Sequence, residues 1–401
     1  MTVGVSSRAD ADELRYLNGT FAELCRIDSP SGRERACADR VVAELRALGV
    51  SAVEDDAAAS AGSECGNLLA RIPAARERAA GDRPGDAAPR RGVLLCAHLD
   101  TVPALAPIEP VLVDGWWENA NEAILGADNK AAVAVILALA RHVHRVGSPV
   151  DLELLFTVCE ETALAGARAF DASQLTSDFG YVFDHASPIG EVVLDSPTHF
   201  RIEAEFRGAA AHAGIRPEQG RSAIFAAARA ISAMHVGRLD DATTVNVGTI
   251  EGGSAMNVVP ERCSVLAEVR GLRAERAEEV VAEVLDRMHE AANLPECECD
   301  VEIAVQKMFS GFHLGESRPA VRAASAALRA CGFEPAPIVS GGASDANALI
   351  SQGHEVVNLA NGTERNHEPG ERVSVEALER MLDVAVALLD AAAQPAASAA
   401  R

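Results

Sequence analysis

His98 and Asp100 close the apolar run Val93-Leu94-Leu95-Cys96-Ala97, which is short and reads as a buried strand. Strand residues two apart share a face, so this imidazole and carboxylate point into one pocket or are jointly solvated. Other acids punctuate the chain in the same way. Asp128 lies in Gly126-Ala127-Asp128-Asn129-Lys130, Glu160-Glu161 follows the strand Asp151–Cys159, and Asp184 ends Tyr181-Val182-Phe183-Asp184. Asn366-His367-Glu368-Pro369 adds a second imidazole. Adjacent carboxylates behind a buried strand raise each other's proton affinity, which a cation, a general-base role or solvent relieves. Asp128 taken alone reads as a helix N-cap. Together, His98, Asp128, Glu161, Asp184 and His367 offer imidazole and carboxylate donors without thiolate, a set that suits Zn²⁺, Mn²⁺ or Co²⁺. A bridging aspartate lets two such ions sit roughly 3.5 Å apart.

The elements that must bring these residues together alternate between strand and helix. Helices are expected over 11–25, from Ser31 to Leu48 with Ser31-x-x-Glu34 as a capping box, over 126–145, 319–331 and 374–393. Strands are expected at 51–54, 67–72, 93–98, 151–159, 181–184, 337–340 and 355–360. In open α/β sheets the strand ends gather in one crevice, where residues far apart in sequence meet. Residues 73–90, rich in Ala, Arg, Gly and Pro, read as a surface loop, and 104–125 as a long connection whose Trp116 and Trp117 either wall a ligand pocket or divide between core and surface. From Thr198 the order becomes β-α-β-β-α-β, a ferredoxin-like unit with its own core. The expected organisation is therefore one domain over 1–196 and 309–401, with a second inserted at 197–308.

At 401 residues and 48% hydrophobic content the chain is globular and long enough for two domains. A net charge of −23 disfavours nucleic acid and anionic membrane as partners and leaves a small molecule or peptide. The run Ala131–Ala140 is about half of what spans a bilayer, so no membrane segment is expected. The 9 cysteines follow no disulfide rhythm and the start of the chain has no apolar signal core, which favours the cytoplasm. Cys297-x-Cys299 reads as packing.

Several motifs, in this order, are His98-Leu99-Asp100-Thr101-Val102-Pro103, Gly126-Ala127-Asp128-Asn129-Lys130-Ala131, Cys159-Glu160-Glu161, Asp184, Ala211-His212-Ala213-Gly214, Gly252-Gly253 with Asn257-Val258-Val259-Pro260, and Asn366-His367. Through them the chain resembles the M20 family of di-metal peptidases, and most closely its peptidase T-like branch. The resemblance implies a zinc-peptidase-like α/β catalytic domain, a mixed sheet flanked by helices, with the inserted α+β domain as lid and dimerisation domain. It implies that His98, Asp184 and a bridging Asp128 hold one ion, and Asp128, Glu161 and His367 the other. Asp100 would orient His98, and Glu160 would be the general base. His212 would stabilise the oxyanion in a neighbouring subunit, making the enzyme a homodimer through the lid. Asn257 and Arg270 would contact the substrate backbone or its terminal carboxylate, and Gly342 a backbone-lined substrate wall; Gly341-Gly342 with Ser344-Asp345 also reads as a tight turn into a capped helix.

The chemistry of the residues agrees with this. A divalent cation lowers the pKa of water from about 15.7 toward 7, and a neighbouring carboxylate can take that proton and return it to a leaving amine. The expected activity is aminopeptidase action on di- and tripeptides with two divalent ions, Zn or else Co or Mn. The alternatives are a carboxypeptidase or an N-acyl-amino-acid amidohydrolase, for which Arg270 speaks, and outside this class a non-catalytic binding protein of the same fold.

Overall fold

The structure, a computed structural model, describes residues 9–75 and 91–394. It divides into one unit up to Leu194 and from His313 onward, and a second over Asp195–Phe312.

In the first unit the strand Gly92–His98 is buried along its whole length. It pairs in parallel with Asp151–Thr157 on one side, His98 opposite Thr157, and with Phe179–His185 on the other. Val356–Ala360 continues the parallel run beyond Phe179–His185. These strands are nearly continuous in apolar residues, as a sheet covered on both faces requires. Antiparallel strands flank them: Leu68–Ile72 on Asp151–Thr157, and Glu191–Ser196 on Val356–Ala360. The sheet is therefore mixed, and the carboxyl ends of its central strands share one edge.

The helix Ala127–Val146 returns the chain from the His98 strand to Asp151–Thr157. Its residues Ala131–Ala140 are all buried, so it is apolar all round because it is a core helix. No helix among the described residues is long and apolar enough to cross a membrane. The helix Ala11–Cys25 packs on it and is opened by a capping box in which Asp10 and Glu13 exchange side-chain and backbone hydrogen bonds.

Two expectations need correction. Ser31 and Glu34 do not cap a helix. The second helix begins at Arg35 and has no side-chain cap, because both side chains are drawn toward other loops. The connection 104–125 is not structureless, since Pro110–Val113 and Trp116–Asn119 form an antiparallel hairpin. Its turn residues Asp114 and Gly115 have φ of 48° and 85°, the positive values that a two-residue Asp-Gly turn supplies. Trp117 donates from Nε1 to Asn18 Oδ1 (2.9 Å) and packs edge-on against Phe21, while Trp116 lies under the Arg372 guanidinium. Both indoles are half-buried, and Trp116 also lines a cavity with Arg365 and Arg380. Most of the expected loop 73–90 lies outside the described residues, as does the tail from 395.

The second unit is a five-stranded antiparallel sheet in the order Gly237–Asp240, Thr243–Gly252, Arg262–Gly271, Thr198–Arg207, Asp300–Phe309. Helices Ala223–Ala233 and Ala274–Ala292 pack on it, burying Ala227, Val280 and Val284 against Phe200, Ile202, Phe206 and Val265. The edge strand Gly237–Asp240 is an addition to the expected β-α-β-β-α-β order. The unit extends slightly past 197–308 at both ends: Gly311 N donates to Thr198 Oγ1 (2.9 Å) and Phe309 packs on His199, so these residues belong to its first strand's surroundings. Cys297 and Cys299 are buried in its core.

Candidate metal centre

Each central strand delivers a polar group at its carboxyl end. His98 ends its strand and is 1% exposed. Its Nδ1 lies 2.9 Å from the backbone carbonyl of Asp100, which can only accept, so Nδ1 carries the proton and Nε2 is left to face the pocket. There Nε2 stands 3.3 Å from Asp128 Oδ1 and 3.6 Å from Asp184 Oδ1. On the outer side His367 Nε2 is 2.8 Å from Glu161 Oε1 and 3.2 Å from Asp128 Oδ2. Asp128 thus lies between the two imidazoles. Donor atoms of His98, Glu160 and Asp184, and likewise of His98, Asp128 and Glu161, fall within 4.8 Å of one another.

Asp100 meets His98 Nδ1 through its backbone carbonyl, and its carboxylate Oδ1 is 3.5 Å from the same nitrogen. That carboxylate accepts instead from Glu160 N (3.0 Å), Glu161 N (3.2 Å) and Ser31 Oγ (2.7 Å). Glu34, fully buried, accepts from Cys159 N (3.1 Å), Gly32 N (2.8 Å) and Ser63 Oγ (2.5 Å). Cys159 has φ 52°, and these two carboxylates hold the turn that it begins. Ser31 and Glu34 were legible only as a local cap, because their partners lie far along the chain. Asn366, within a motif but given no task, donates from Nδ2 to Asp128 Oδ2 (2.9 Å).

The electrostatics show a pocket rich in carboxylate. The hydrogen bonds that His367 donates to Asp128 and then to Glu161 raise it to about 10. Burial would lower His98, but its contacts with Asp100, Asp128 and Asp184 outweigh that and hold it well above the ordinary value. Burial, then the charge of Asp184, pushes Glu160 far up; burial, then Asp128, does the same to Asp184. Burial also tends to raise Asp128, yet His367 and His98 keep it below its usual range. Asp345, fully buried and accepting from Thr157 Oγ1, is pushed up to about 6, first by burial. Carboxylates that draw protons onto themselves and their imidazoles are short of positive charge. His98 Nε2 and Asp128 Oδ1 are moreover buried without a hydrogen bond. Buried polar atoms are rarely left so, and a cation between them satisfies both. The residues fit a divalent ion pair.

The remaining expected residues have contacts within their own units. In the second unit the segment around His212 pairs with that around Asn257: Ala213 N donates to Asn257 O and Val259 N to Ala211 O, both 2.9 Å. His212 and Asn257 are exposed. Arg270 pairs in a fork with Glu268 at 3.1 and 3.2 Å, and His199 Nε2 is 3.0 Å from the same carboxylate. In the first unit Gly342 donates its N–H to Ser340 Oγ (3.1 Å).

Known proteins give this geometry its context. Residues 198–293 match the family model described as a peptidase dimerisation domain, and residues 79–215 that described as peptidase family M28. The Bacillus subtilis protein YqjE is 33% identical over 375 residues, 93% of this chain and 97% of the relative. The crystal structure of the aminopeptidase PepT from Bacillus cereus is 33% identical with a TM-score of 0.85, covering 95% of this chain and 99% of that one. A tripeptidase structure from Staphylococcus aureus is 30% identical with a TM-score of 0.87, covering 95% and 98%. With its mixed sheet, its inserted dimerisation-type unit and this cluster of imidazoles and carboxylates, the chain is a peptidase and belongs to the M20 family of di-metal peptidases, in the peptidase T-like branch.

Proposed function

We propose that the protein is a cytoplasmic, homodimeric aminopeptidase that releases residues from di- and tripeptides with two divalent cations, zinc first and cobalt or manganese next. The observation that carries this reading is the convergence of His98, Asp128, Glu161, Asp184 and His367, with His98 Nε2 and Asp128 Oδ1 buried and lacking hydrogen bonds. His98 and Asp184 would hold one ion, Glu161 and His367 the other, with Asp128 shared between them. The ions supply Lewis acidity that lowers the proton affinity of water and polarises an amide carbonyl. Glu160, beside the cluster and pushed well above its ordinary value by burial and then the charge of Asp184, takes a proton from the attacking water on its carboxylate and returns it to the leaving amine. Asp100 keeps Glu160 in place through its backbone N–H.

A carboxylate-rich centre favours a substrate with a free ammonium, and Arg270 is already engaged by Glu268, which weighs against a dedicated reader of substrate carboxylate. Asn257 then serves the substrate backbone and Gly342 its wall. The dimer reading is supported by the dimerisation-domain match and by Ile224 and Phe225, 37% and 46% exposed on the helix Ala223–Ala233. All 9 cysteines are buried, which suits a reducing compartment.

The test is a panel of free, N-acylated and C-amidated di- and tripeptides, with and without chelator. Free and C-amidated peptides are expected to be cleaved, N-acylated ones poorly, and none after chelation. Better cleavage of amine-blocked substrates replaces aminopeptidase by carboxypeptidase or N-acyl-amino-acid amidohydrolase action. Full activity in chelator removes the metal.

A further inference from the structure

Glu371 lies four residues beyond His367 and is 1% exposed. Its Oε1 accepts the N–H of Asp128 at 2.8 Å, and its Oε2 accepts those of Leu125 at 2.9 Å and Gly126 at 2.8 Å. Among the described residues no arginine or lysine pairs with it. A carboxylate in such a place is costly to desolvate, and the cost is offset here by hydrogen bonds from backbone N–H groups alone. A turn could be fixed by a neutral side chain. What the carboxylate adds is one rigid link between the loop that carries His367 and the loop that carries Asp128.

Asp128 is also the residue with most to gain from such a link. Its Oδ1 is 3.3 Å from His98 and its Oδ2 3.2 Å from His367, so a small rotation or retreat of its backbone withdraws it from both. Gly126 takes φ 74°, a turn across which the N–H groups of Gly126 and Asp128 both reach the same carboxylate. Groups that orient metal-holding side chains matter nearly as much as the side chains themselves.

We propose that Glu371 is a positioning residue for the bridging carboxylate: by holding the Asp128 N–H against the His367 loop, it sets the separation of the two cation positions. This rests on the two-cation reading above. A glutamine in its place has one acceptor oxygen for these N–H groups and turns an NH₂ toward the others, so the loop loosens.

The experiment titrates wild type, Glu371→Gln and Glu371→Asp, each stripped of metal, with Mn²⁺ and Co²⁺, following binding by calorimetry and the ion pair by electron paramagnetic resonance. Glu371→Gln is expected to lose about 10- to 100-fold in affinity for the ion pair and to show weakened Mn–Mn exchange coupling. Glu371→Asp, which keeps the charge with a shorter reach, is expected to fall between. A merely structural role would lower the melting temperature and leave affinity and coupling alone. Wild-type affinity and coupling in both variants overturn the inference while leaving the two-cation reading intact. If Glu371→Gln does not fold, wild-type behaviour of Glu371→Asp overturns it alone. A wild type that binds fewer than two ions overturns both.

Discussion

At the scale of single residues, the neighbouring carboxylates Glu160 and Glu161 differ in their contacts. Glu161 reaches His367, whereas the Glu160 side chain makes no hydrogen bond with a described residue, and burial and then the charge of Asp184 push its carboxyl well above the ordinary range. Glu160→Ala should therefore keep its metal and lose about 10²- to 10⁴-fold in kcat, as loss of a general base does. Metal content by mass spectrometry and kcat on a free dipeptide check this; loss of metal with unchanged turnover would assign Glu160 to the ions instead. Asp100→Ala removes the acceptor for the Glu160 and Glu161 N–H groups while the backbone carbonyl still orients His98. Its expected effect is an increase in KM and about a 10-fold weaker hold on metal, with the His98 tautomer unchanged by nuclear magnetic resonance. Strand alternation and strand ends are what single these residues out in the sequence. The route by which Asp100 acts is not legible there, since its partners come from a turn some sixty residues on, and no local pattern records which backbone N–H a carboxylate will find.

At the scale of elements, the same limit explains Ser31 and Glu34, whose spacing satisfies a capping rule while their side chains serve Asp100 and Cys159. The hairpin at Trp116 did carry a local signal, Asp114-Gly115 between apolar stretches, which the expected loop passed over. At the first helix the cap is genuine and has a second task. Glu13, 4% exposed, accepts from Arg145 at 2.7 Å and lies 3.0 Å from His142, so it clamps the helix Ala11–Cys25 to the core helix Ala127–Val146. Burial alone would raise its carboxyl, but the Asp10 N–H, Arg145 and His142 outweigh burial and leave it below its ordinary value. A depressed carboxyl stabilises the fold above the ordinary carboxylate range and stops doing so as pH falls through its folded value. Glu13→Gln should cost about 2–3 kcal/mol at neutral pH, with the gap to wild type closing below about pH 4. Urea unfolding at both pH values measures it; an equal gap at both would mean that packing, not charge, holds the two helices.

At the scale of the whole molecule, contacts divide the chain into an α/β unit and an antiparallel unit over Asp195–Phe312, and the element order changes close to that boundary, at Thr198, because a β-α-β-β-α-β string closes its own core. The edge strand Gly237–Asp240 was not readable, being short and nearly all exposed, with no apolar alternation to betray it. Assembly is the level where sequence reasoning is weakest and experiment most decisive. If His212 serves the partner's centre, each active site draws on two chains, and two inactive variants must rescue each other. His212→Ala lacks the donor and Glu160→Ala lacks the base. In a mixed dimer, one centre pairs an intact Glu160 with the His212 that the other chain brings, and its twin has neither. With free exchange of subunits at equal amounts, half of the dimers are mixed and each has one working centre, so about a quarter of wild-type activity should return by two-fold symmetry. His212→Ala alone should lose about 10²- to 10³-fold in kcat with metal content unchanged, as removal of an oxyanion donor does. Phe225→Asp, on the exposed helix face, should abolish the recovery by keeping the chains apart. A mixture that stays inactive although sedimentation shows mixed dimers would confine His212 to its own chain or deny it a part in the reaction.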